Sequence, residues 1–174
     1  MNSNPLDPVI KAYKVSTECF RIAQRAIKKQ QVNLFNDSDW PIQSKAQQEL
    51  IQAVEETQEL FVLSLWATFE RFAITYLQNK GNVLQNIVPT DLANPIYKHF
   101  MKEVEYWKPN DILNLLKEIP SIDKNLIGQA KFILRYRNWI AHGKDSQKAS
   151  FISAVSPSYA HQILNEMVEI LLLN

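Results

Sequence analysis

The stretch LFVLSLWATFERFAITYL constrains the fold more than any other part of the chain. Val62, Leu65, Trp66, Phe69, Phe72, Ala73 and Tyr76 recur at steps of three and four, the period of one helical face. A helix over about residues 45–80 follows, with Gly81 as its stop. So long an apolar stripe needs partners, and strand signals are nearly absent from the rest of the chain. The partners must be helices.

Helix punctuation supplies them. A first helix is expected over about residues 7–31, with a basic end in RIAQRAIKKQ, and the polar segment 33–44 reads as a loop. In NPIYKHFMKEV, Asn94 is the expected N-cap and Pro95 the first helical residue. Asn110 has the capping role in KPNDILNLLKEIP, and Pro120 ends that short helix. Another helix is expected over about residues 123–142, capped by Gly143, and a last one from SPSYA to MVEILLLN. About six helices with short connections give an all-α, up-and-down bundle.

At 174 residues the chain fits a single domain, with 1–44 as an N-terminal helix and loop extension and 45–174 as the core bundle. A net charge of +1 excludes a whole-protein pull toward nucleic acid, so any such site must be a local patch. One cysteine, Cys19, excludes an internal disulfide framework and suits a reducing cytoplasm. The N-terminus lacks a signal-peptide pattern, and the longest apolar run, LFVLSLWATF, falls short of the roughly 20 residues a membrane span needs. A cytoplasmic protein without membrane contact is expected. Three glycines leave no phosphate-cradling loop, and no His, Cys or Asp spacing suits a metal, so neither cofactor nor metal is expected. His99 and His161 lie in no motif and read as surface or capped-helix residues.

The segment FILRYRNWIAHGKD carries the functional signal. On a helical wheel Leu126, Ala130, Ile133, Leu134, Ile140 and Ala141 form a core arc, with Arg137 near its middle. Phe132, Tyr136 and Trp139 form an aromatic stripe that reads as core or dimer interface. Lys131, Arg135, Asn138 and His142 form a polar stripe. A guanidinium on a core arc needs an anion, a carboxylate or an opening to solvent. Glu70, flanking the apolar face of the long helix, is the candidate carboxylate. Asn138 and His142 share a face, and Arg137 can reach round toward it, although Arg137 and His142 lie about 140° apart. From Lys124 to Lys144 there are five cations and no acid, a local ridge that attracts phosphate.

Arg137-Asn138-Trp139-Ile140-Ala141-His142 reads R-N-x-x-x-H at a helix end. It resembles the R-x4–6-H motif of HEPN domains, in which a polar residue follows the arginine. LSLWATFERFAITYL is similar to the helix many HEPN families carry, with an aromatic residue shortly before a Phe-Glu pair. The resemblance spans about residues 45–174. It implies a homodimer in which two such segments face one another across a cleft. It further implies a metal-independent endoribonuclease, of the toxin or phage-defence type, with an antitoxin or defence-system partner. Carried over residue by residue, Arg137, Asn138 and His142 would be catalytic, with Glu70 orienting the arginine; from the cationic ridge, Lys131, Arg135 and Lys144 are expected to contact RNA. Some HEPN toxins carry H-x-Tyr, whose tyrosine is nucleotidylated by the antitoxin. Here His142-Gly143-Lys144 has no tyrosine, so that mode of silencing is not expected. Two rival expectations stand beside the nuclease. One is a non-catalytic HEPN module that binds nucleotide, RNA or a protein. The other is a structural adaptor in which Arg137 pairs with Glu70.

Overall fold

The computed structural model describes residues 3–31, 43–144 and 153–173, so most of the expected loop over 33–44 lies outside the described residues. Among the described residues the chain is all-helical. It forms α1 (Asp7–Lys28), α2 (Gln43–Gly81), α3 (Thr90–Glu103), α4 (Pro109–Leu116), α5 (Lys124–Ala141) and α6 (Pro157–Leu173). Two 3-10 turns, Asn82–Asn86 and Val104–Tyr106, flank α3.

The 39-residue α2 is the central helix and packs against all the others. Its stripe behaves as the periodicity requires: Val62, Leu65, Trp66, Phe69 and Ala73 are buried, and Phe72 and Tyr76 pack at the margin. Leu126, Ala130, Ile133 and Leu134 of α5 and Ile163, Leu164, Met167 and Val168 of α6 complete the core. This one cluster begins at Leu6, so the N-terminal helix is built into the bundle. A smaller cluster of Ile27, Ala46 and Leu50 joins the end of α1 to the start of α2. The stretch Lys45–Asn86 is long and apolar enough, by length and composition, to cross a membrane, contrary to the sequence-based expectation. Of its most apolar window 39% is buried in the bundle, where it serves as the core helix.

Several boundaries differ from expectation. Helix α1 ends at Lys28. Helix α3 starts at Thr90 after an extended Pro89, which leaves Pro95 inside it and Asn94 without a capping role. A proline there withholds only the amide that would reach the Asp91 carbonyl, in the turn where the helix begins. In α4 Lys108 is the N-cap and Pro109 takes the first helical position, the place where its missing N–H costs nothing. Gly81 does more than end α2: a Cβ there would overlap the Phe100 ring, so its lack of a side chain lets α3 lie close.

His161 differs too. It is half-buried on α6, and its buried Nε2 has no hydrogen-bond partner among the described residues. Burial pushes its pKa below the ordinary value and Lys14 adds to that, while Asp7 and Glu169 pull the other way. With the native pKa depressed, the unfolded chain binds more protons in that window. Stability is therefore full above about pH 6.5 and falls as the pH drops below it. Urea melts at pH 7.5 and pH 5.5 check this: His161→Leu should lose less stability on acidification than wild type. Equal losses would clear His161.

Candidate functional site

Helix α5 is fixed at both ends by its own sequence. Asp123 is the N-cap, its Oδ1 accepting from the Asn125 amide at 2.8 Å. At the other end His142 is the C-cap and Gly143 turns left-handed at φ 80°. The Gly143 amide donates to the Ile140 carbonyl at 3.1 Å and the Lys144 amide to the Trp139 carbonyl at 2.9 Å. That pair of bonds is a complete Schellman closure. Lys144 also has a left-handed backbone, at φ 58°.

Between these ends the helix leaves the core. Leu126, Ile127, Ala130, Ile133, Leu134 and Tyr136 are buried; Arg137, Asn138, Trp139 and Ile140 are half-buried; Ala141 to Lys144 are exposed. Arg137 is therefore not a core arginine, and Ala141 is not a core alanine. The wheel placed both inside because it extends the buried arc along the whole helix. Phe132 and Trp139 pack against the core and Tyr136 lies within it, so the aromatic stripe is a packing surface. Burial, followed by the nearby Glu59 charge, pushes the Tyr136 phenol up.

Arg137 Nη1 donates to Asn138 Oδ1 at 3.0 Å. Consecutive helical residues point about 100° apart, so this contact exists only because the arginine swings from its own arc toward the polar stripe. The contact also orients the amide, with Oδ1 toward the arginine and Nδ2 free to donate elsewhere. No described carboxylate forms an ion pair with Arg137. Glu70, the expected partner, instead accepts from Trp66 Nε1 at 2.7 Å, one turn back along α2. The adaptor expectation, which needed an Arg137–Glu70 bridge, has no such bridge here.

Three of the four remaining cations of this stretch, Lys131, Arg135 and Lys144, are individually engaged. Lys131 Nζ donates to Asn114 Oδ1 of α4 at 2.6 Å. The Arg135 guanidinium lies 5.9 Å from the Phe132 ring centroid, within cation–π range, and is exposed. Lys144 Nζ pairs with Glu59 Oε2 of α2 at 2.7 Å. The structure thus brings Arg137 and Asn138 together, sets His142 at the exposed end of the same helix, and ties Lys144 to an acid. Glu59 was not legible from sequence: it stands in the acidic run EETQEL, with nothing to mark which glutamate faces a distant lysine.

Neither of two cavities elsewhere is lined by a motif residue. One, of about 660 Å³, lies between α1 and α2 beside Ile27 and Leu50; the other, of about 470 Å³, lies beside Tyr76 and Leu172. Among the described residues no group of three or more His, Cys, Asp or Glu side chains could hold a metal ion. No family model, curated protein or solved structure matches the chain.

Proposed function

We propose that this chain is a HEPN-like, metal-independent endoribonuclease that works as a homodimer, in a toxin or phage-defence setting. The observation that carries the reading is the Arg137–Asn138 contact on a half-buried surface one turn from the exposed His142, with no described carboxylate paired to the arginine. An arginine held by a neutral amide keeps its full charge and most of its donors for an outside anion. Phosphate is the anion that suits a planar fork of N–H groups, and the exposed Arg135 adds a second cation to the same helix.

Cleaving RNA at this site needs three things. One base removes the proton from the 2′-hydroxyl, whose oxygen attacks the adjacent phosphorus. One acid protonates the departing 5′-oxygen. A cation stabilises the phosphorane between them. Histidine suits both proton transfers at neutral pH, and a second protomer brings a second His142. Arg137 suits the phosphorane, and Asn138 holds the arginine in place. Among the described residues, Ala141 to Lys144 at the C-terminal end of α5 are exposed. The products are a 2′,3′-cyclic phosphate and a 5′-hydroxyl. The reading implies a cytoplasmic protein with RNA as substrate and an antitoxin or defence-system protein as partner.

Incubating the purified protein with end-labelled tRNA and mixed RNA in excess EDTA tests this. Cleavage leaving cyclic phosphate ends is the expected result. A dimeric protein that binds RNA or nucleotide without cutting would instead be a non-catalytic binding module.

A further inference from the structure

The mechanism leaves one strong interaction beside the motif unused, the pair between Lys144 and Glu59. We infer that Glu59 is a positioning residue for His142, acting through Lys144. The inference rests on the nuclease reading only for its effect on turnover; the positioning itself stands on geometry.

Glu59 lies three and seven residues before Val62 and Trp66, so it continues the face of α2 that packs toward the core. Its side chain is 17% exposed, whereas Glu55 and Glu56 are exposed. Lys144 Nζ meets it at 2.7 Å, a short, charge-assisted contact, and the carboxylate raises the lysine pKa. A partly desolvated pair of this kind holds its geometry better than two solvated surface charges.

What the pair holds is the chain immediately after His142. Two residues in succession, Gly143 and Lys144, adopt left-handed backbone. Glycine does so freely, but a lysine in that region is disfavoured and needs support. Lys144 has two supports: its amide closes the Schellman motif onto Trp139, and its ammonium is anchored on α2. With Lys144 held at both the backbone and the side-chain end, fraying of the helix terminus is opposed. The imidazole then leaves a defined Cα position, and a general acid–base group needs that definition to meet its proton. Lys144 therefore serves the site by its geometry, with its charge already committed to Glu59, in place of the RNA contact expected from sequence.

The test compares Glu59→Gln, Lys144→Met and the exchanged pair Glu59→Lys/Lys144→Glu with wild type. Lys144→Met removes the pair from its exposed side, so it reports even if the change at 59 disturbs folding. Amide hydrogen exchange at Gly143 and Lys144 and the His142 imidazole NMR resonances are followed together with cleavage kinetics. Either single variant should speed exchange at both amides about tenfold and broaden or shift the His142 resonances. In the cleavage assay kcat should fall about tenfold with KM unchanged, and the exchanged pair should recover both readouts. Unchanged exchange and resonances in both single variants would overturn the inference. So would a loss of kcat that the exchanged pair does not recover at all. A wild-type protein that cuts no RNA, with exchange still responding to both variants, would sink the nuclease reading and leave the positioning intact.

Discussion

Replacing His142 by alanine should lower RNA cleavage by about a thousandfold or more while leaving the thermal midpoint within about 1–2 °C of wild type. The size follows from the chemistry. A positioned acid or base contributes roughly 10²–10⁴ in rate, and in the proposed dimer one substitution removes both imidazoles. The small thermal effect follows from the structure. His142 is exposed, and its backbone amide, which donates to the Asn138 carbonyl at 3.0 Å, survives the change. Surface substitutions of this kind stay within about 0.5 kcal/mol. A variant that cuts as fast as wild type would remove His142 from the site.

Arg137 gives the companion result. Were it half of a buried ion pair, its removal would cost about 3–5 kcal/mol by stranding a carboxylate. It has no described carboxylate partner, so Arg137→Ala should leave stability nearly unchanged and lower cleavage by about 10²–10³. Lysine at 137 should restore only part of the rate, because it keeps the charge and loses the planar fork. Calorimetry alongside the cleavage assay separates these outcomes.

Why sequence reached some of this and not the rest is a matter of range. The α2 stripe and the ends of α5 are local: a period of 3.6, an aspartate before a helix and a glycine after one act within a turn or two. The same locality misled at α3, where Asn94-Pro95 looked like a start although Thr90-Asp91 had already begun the helix. A helical wheel cannot say where a helix leaves the bundle, and for that reason Arg137 read as buried. The polar stripe from Lys131 to His142 could be drawn from sequence, whereas the partners of Lys131 within it and of Lys144 beyond it could not. Glu59 with Lys144 and Asn114 with Lys131 are contacts made by packing between helices, and one sequence holds no mark of them. His161 read as a surface residue because nothing near it in sequence shows that its Nε2 would be enclosed.

Trp66 should be among the most damaging substitutions in the bundle, and its neighbour decides what Glu70 is for. Trp66 is 1% exposed, lies edge-on to Phe69 with ring centroids 5.6 Å apart, and donates from Nε1 to Glu70. Trp66→Ala removes the largest of the fully buried side chains and should cost about 3–5 kcal/mol, a fall in midpoint on the order of 10 °C. Trp66→Phe keeps most of the ring and loses the donor, for about 1–2 kcal/mol. Glu70→Ala leaves the indole N–H without its acceptor and should cost about 1–3 kcal/mol. If the two side chains serve each other, the double variant Trp66→Phe/Glu70→Ala should cost clearly less than the sum of the singles. Cleavage per folded molecule should then stay near wild type in Glu70→Ala. Additive stability losses, together with a hundredfold drop in cleavage on Glu70→Ala alone, would return Glu70 to the role its sequence position suggested. It would then orient Arg137, in a conformation of the site different from the one in which Arg137 rests on Asn138.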